Sequence, residues 1–220
     1  AYTANNPIKF IDPDGRDYYE GEDGKIQWFN STEKSYIFDK KTYKNIGESY
    51  ASFDGNYLKY HYQNKDKDGN LSPNMQSFAA VSGRPDANGN FDYSKQNQMN
   101  PSTGPIPEGS YTMNMTEAPV MTTYKNLEGT IGGLLGQLGL GKHGTFPGGR
   151  SAWGDGRIDI NPDNVFVKMS NSPFDLGVYR GGFTIHGGST PGSAGCIDLC
   201  SGFGEFKSMV EQFKGNTNDI

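Results

Sequence analysis

The chain is poor in the residues that carry most site chemistry: two cysteines, three histidines and two tryptophans in 220 residues. The two cysteines, Cys196 and Cys200, lie four positions apart, so a disulfide or half of a metal site is conceivable. A zinc centre would need two more soft ligands, and His61, His143 and His186 are scattered, which disfavours it. Positive charge is also short. A net charge of −5 argues against nucleic acid, because phosphate recognition needs a basic surface. No run of about twenty apolar residues exists, so no membrane span is expected. No charged n-region followed by an apolar h-region opens the sequence, so no signal peptide is visible.

What is present is glycine, 31 of 220, together with many Asn, Asp, Ser and Tyr. That mixture suits a mainly β fold with many turns. The length allows one sizeable core, or one core and an appendage. Residues 16–48 carry Lys25-Ile26-Gln27-Trp28-Phe29 and Ser35-Tyr36-Ile37-Phe38, split by a polar turn, and predict a β-hairpin appendage. Further strands are predicted at 57–62, where His61 falls on one face in a packing role, and at 75–81, 109–115, 157–160, 165–169 and 178–186. The polar stretch 86–103 is long enough to be a functional loop. Residues 126–140 have apolar positions at helical spacing diluted by glycines, which predicts a short helical insertion, either a lid or an element packed on the sheet. Phe203, Phe206, Met209, Val210 and Phe213 recur at three- and four-residue intervals, a core-facing helix with Ser201 as cap and Lys214-Gly215-Asn216 as stop.

The most informative stretch runs from Gly182 to Leu199. An apolar strand ends at His186, a glycine-rich loop follows, and Cys196 opens another apolar segment. Cysteine performs acyl transfer as thiolate, so it needs a nearby base or cation. A pliable loop can fold His186, ten positions upstream, back onto Cys196, and glycines let backbone N–H groups approach a developing oxyanion. The competing reading is a buried structural cysteine beside an unrelated histidine. Cys200 reads as a small buried residue, with a resolving thiol as the alternative.

Ser193-Ala194-Gly195-Cys196-Ile197 resembles the Ser-His-Gly-Cys signature of the L,D-transpeptidase family, and Ile185-His186-Gly187 resembles its upstream His-Gly element. Gly104-Pro105-Ile106-Pro107-Glu108-Gly109-Ser110-Tyr111-Thr112 is similar to the family's strand-entry motif, with Arg157-Ile158-Asp159-Ile160 and Arg180-Gly181-Gly182-Phe183 in order between them. The likeness spans roughly residues 50–200 and is strongest to toxin branches delivered by type VI secretion. Two positions depart from the pattern: Ala194 replaces a histidine, and Asp198 stands where Arg or Asn is usual. Tyr2-Thr3-Ala4-Asn5-Asn6-Pro7 through Asp12-Pro13-Asp14-Gly15 resembles the segment that closes the core of RHS-repeat toxins before their variable tips.

These resemblances imply an organisation of 1–15 as the end of an RHS core, 16–48 as the hairpin, and 49–220 as an L,D-transpeptidase-like domain, a twisted sheet or open barrel with one C-terminal helix. They imply a secreted antibacterial effector acting on peptidoglycan stem peptides in the target-cell periplasm, with a larger RHS carrier and a cognate immunity protein as partners and no cofactor or metal. Cys196 is the expected nucleophile, His186 its base, and the backbone N–H groups of Gly195 and Cys196 the oxyanion donors. Arg157, Arg180 and Ser193 are the expected substrate-binding residues, because Asp198 cannot hold a carboxylate. The alternative is a catalytically silent wall- or immunity-binding module of the same fold.

Overall fold

The computed structural model describes residues 17–29, 31–47, 49–68, 71–114, 119–138, 146–162, 164–169 and 176–213. The motif ending at Gly15, His143 and the Lys214-Gly215-Asn216 stop lie outside them. Among the described residues 41% are in strands and 20% in helices. The protein is therefore mainly β, with a curled half-barrel sheet and one C-terminal helix. No helix among the described residues is long and apolar enough to cross a membrane.

The chain divides into two compact units. Of the described residues, the first takes those through Ser52, Lys59–Ser77 and those from Ser208 onward, and the second takes Phe53–Leu58 and Phe78–Lys207. In the first, β1 (Asp17–Gly21), β2 (Ile26–Phe29), β3 (Ser35–Phe38) and β4 (Lys41–Gly47) form an antiparallel sheet of order β2-β1-β4-β3. The two strands expected to form a hairpin with each other do not pair: β2 pairs with β1 and β3 with β4, so they are the opposite edges of a four-stranded sheet. Consecutive tyrosines explain it: Tyr18 points to a cluster with Trp28, Ile46 and Tyr50, while Tyr19 points to the opposite cluster with Phe29 and Tyr43. Both faces bury aromatics, each contributing roughly 1.5–3 kcal/mol, so the simple polar-out alternation used to find strands does not reveal β1 and β4. The strands β5 (Tyr50–Phe53), β6 (Tyr57–Lys65) and β7 (Leu71–Ala79) form a three-stranded sheet of order β5-β6-β7. His61, on β6, stacks on Tyr50 at 4.3 Å, and burial together with Lys59 pushes its imidazole down to about 4.

The second unit is built on a five-stranded sheet of order β8-β14-β13-β10-β9. Its strands are β8 (Val81–Gly83), β9 (Thr112–Asn114), β10 (Arg157–Asn161), β13 (Thr184–His186) and β14 (Ser193–Asp198). The strand expected over 178–186 breaks at Gly182-Phe183 into β12 (Val178–Gly181), which pairs with β11 (Asn164–Val167), and β13. Ile158, Ile185 and Ile197 occupy one cross-strand row and are all buried. The polar stretch 86–103 contains a short helix, α1 (Lys95–Gln98), capped by the Ser94 side chain.

The glycine-diluted segment forms a longer helix than its composition predicts, α2 (Thr123–Gln137). Tertiary hydrogen bonds compensate for poor propensity: Gly129 accepts from the Gly148 N–H at 3.0 Å, and the Asn126 side chain accepts from the Arg150 N–H at 2.7 Å. Arg150 opens α3 (Gly149–Trp153) with Gly149. The C-terminal helix, α4 (Phe203–Phe213), buries Phe203, Phe206 and Val210 as the periodicity predicts. Ser201 lies in a 3₁₀ turn, Cys200–Gly202, that leads into α4.

Candidate active site

Strands β13 and β14 are parallel neighbours, with Ile185 opposite Ile197 and His186 opposite Asp198. Only residues 187–192 connect β13 to β14, a short crossover for parallel strands, which ordinarily need a dozen or more residues. The register decides the chemistry. Side chains alternate across a strand, so Thr184, His186, Cys196 and Asp198 share one face while the isoleucines take the other. The Thr184 hydroxyl donates to the Cys196 sulfur at 3.4 Å, and the Cys196 S–H faces the Gly182 carbonyl at 3.8 Å.

His186 and Cys196 are 1% and 4% exposed, so their charges interact with little screening by water. His186 Nδ1 lies 2.8 Å from the Gly187 carbonyl, which can only accept; the proton is therefore on Nδ1. Nε2 is left with its lone pair, buried at the strand pair. Burial disfavours the imidazolium, yet Cys196, the Gly187 carbonyl and the Asp198 charge together raise its pKa. Burial likewise pushes the Cys196 thiol up, and the imidazole with the Thr184 hydroxyl and N–H outweighs it, holding the thiol below its usual range. A proton leaving sulfur thus has a matched acceptor across the strand pair. Cys200 differs: it is a free thiol, as is Cys196, and burial plus the adjacent Asp198 push it up.

Asp198 is 1% exposed and acts as a brace. Its two oxygens accept from Gly192 N–H at 3.0 Å and Cys200 N–H at 2.8 Å, tying the glycine loop before β14 and the turn after it to the end of that strand. The Gly104-Pro105 motif braces the same loop from below. The Gly104 carbonyl accepts from the Gly195 N–H at 2.9 Å and from Arg180 Nη2 at 3.1 Å. This corrects one expectation: the Gly195 N–H is engaged with Gly104, so of the two expected oxyanion donors it is not available.

The expected cations also sit differently. Arg180 is 3% exposed and spends its donors on the carbonyls of Gln98, Gly104 and Pro105. Burial lowers its pKa while the charges of Tyr111 and Cys196 oppose that shift, so it is an internal cation near the nucleophile rather than one presented to a ligand. Arg157 pairs with His186 in the β10–β13 register, ion-pairs with Asp159 at 3.3 Å, and lies over the rings of Phe146 and Trp153 at 5.1 and 5.4 Å. Ser193 does line a cavity of about 520 Å³, with Arg84, Ser151, Trp153, Thr190 and Ala194.

Sequence reasoning passed over Thr184, Trp153 and the bracing role of Asp198. The two-residue alternation of Thr184 with His186, and of Cys196 with Asp198, carries the signal for two of them. Trp153, whose ring centre lies 4.8 Å from that of His186, arrives from α3 and has no local signal. No protein-family model matches the chain, and no curated protein matches it. The likeness to L,D-transpeptidases rests on the motifs and their order.

Proposed function

We propose that the chain is a cysteine acyl-transfer enzyme acting on bacterial cell-wall stem peptides, an L,D-carboxypeptidase or L,D-transpeptidase. The observation that carries this reading is the buried Cys196–His186 pair, with its thiol lowered, its imidazole raised, and Nδ1 tied to the Gly187 carbonyl. The sulfur proton passes to Nε2 as sulfur attacks the carbonyl carbon of an L-centre such as diaminopimelate. The Cys196 N–H supports the oxyanion. Nε2 then returns the proton to the departing amine of D-alanine, leaving a thioester. Water, or an amine in exchange, attacks the thioester and restores the thiol. A papain-like amidase is disfavoured because its cysteine precedes its histidine in sequence.

As an effector tip released from an RHS carrier, the domain would act in the target periplasm and starve the wall of cross-link donors, and its producer would carry an inhibitor that covers the groove beside Cys196. Digestion of purified muropeptides, read by mass spectrometry, tests the chemistry. Wild type should trim or exchange tetrapeptides, and folded Cys196→Ala and His186→Ala should not. Full turnover by Cys196→Ala rejects the reading. Killing that is equal with and without a grafted export signal rejects the periplasmic target.

A further inference from the structure

Four arginines fall among the described residues, and three have partners within the protein. Arg150 pairs with Asp155, Arg157 with Asp159, and Arg180 with three backbone carbonyls. Arg84 has no carboxylate within 4 Å among the described residues. Its backbone is nevertheless fixed. The Arg84 N–H donates to the Thr103 carbonyl at 2.8 Å, and the preceding Gly83 is paired with Ser193. Arg84 lines the 520 Å³ cavity together with Ser151, Trp153, Thr190, Ser193 and Ala194, and the Trp153 ring centre lies 4.8 Å from that of His186.

We propose that this cavity is the subsite for the free α-carboxylate of the residue that departs in the reaction, and that Arg84 is its anchor and the specificity determinant. The inference rests on the cysteine acyl-transfer reading and adds the ligand chemistry to it. An anion approaching a chain of net charge −5 needs a local cation, and guanidinium matches a carboxylate through two parallel hydrogen bonds. The cavity size is within the ordinary range for small-ligand sites. Arg84 also borders a neighbouring depression of about 340 Å³, but that one carries Asp86 and Asp92 on its lining and repels a carboxylate.

The test measures binding apart from turnover. In the Cys196→Ala background, calorimetry compares a stem tetrapeptide bearing a free C-terminal carboxylate with its C-terminal amide. The acid should bind more tightly, Arg84→Gln should weaken it about tenfold or more, Arg84→Lys should fall between, and the amide should bind equally in all three. In the active background, Arg84→Gln should raise KM for the acid with little change in kcat. If stem peptides are turned over in a Cys196-dependent way but Arg84→Gln binds acid and amide as before, the Arg84 assignment fails and the acyl-transfer reading stands. If neither peptide binds nor is turned over by wild type, both fail.

Discussion

Gly195→Ala is the sharpest perturbation of the nucleophile loop. Gly195 has φ +81° and sits where β14 bulges away from β8, directly before Cys196. A left-handed backbone costs a non-glycine residue about 1–2 kcal/mol. A methyl there would also lie 2.9 Å from Phe183 Cε1 and 3.0 Å from Arg180 Nη2, and both side chains are buried. Forcing a methyl into packed surroundings adds about 1–3 kcal/mol, for a total of roughly 2–5 kcal/mol. Gly182→Ala is the control: its φ is +75°, nothing lies within 4 Å of its added methyl, and only the backbone cost applies. Thermal unfolding should show Gly195→Ala falling by roughly 4–20 °C, at about 2–4 °C per kcal/mol, and Gly182→Ala by a few degrees. Cys196 alkylation should slow markedly in the first variant and little in the second. Equal effects of the two substitutions would refute the argument that Phe183 and Arg180 clamp the loop at Gly195.

Three other outcomes follow from the buried charged and titratable groups. His186→Ala removes the group that pulls the Cys196 thiol down while burial remains, so iodoacetamide alkylation followed against pH should titrate above the ordinary thiol range, whereas wild type should titrate on the lowered side of it. Because His186 is raised in the fold, its proton stabilises the native state fully below about pH 6.5 and that contribution fades as pH climbs through the raised value; His186→Gln should flatten that limb of a stability–pH curve measured by urea unfolding. Asp198→Ala orphans the Gly192 and Cys200 N–H groups and should cost about 2–4 kcal/mol in the same assay, with Asp198→Asn milder because it keeps an acceptor.

Local chemistry made much of this protein legible in its sequence. The glycine-rich composition and apolar alternation determined a mainly β fold, the three- and four-residue recurrence of Phe203, Phe206 and Val210 determined the buried face of α4, and the Cys/His pair around a pliable loop marked the candidate site. Each of these is a short-range pattern, in which neighbours along the chain share one strand, one helix face or one turn. Tertiary structure decided the rest. Only the parallel register of β13 and β14 puts Thr184, His186, Cys196 and Asp198 on one face, because a shift of one residue would turn all of β14 over. Only long-range contacts assign the donors and cations: Gly104, ninety-one positions from Gly195, takes its N–H, Arg180 is drawn into the interior by carbonyls more than seventy positions away, and Arg84 lines the cavity with no ion-pair partner among the described residues. Whether a charged side chain reaches a ligand depends on which partners the fold brings within hydrogen-bonding distance, and the order of residues along the chain does not record those distances.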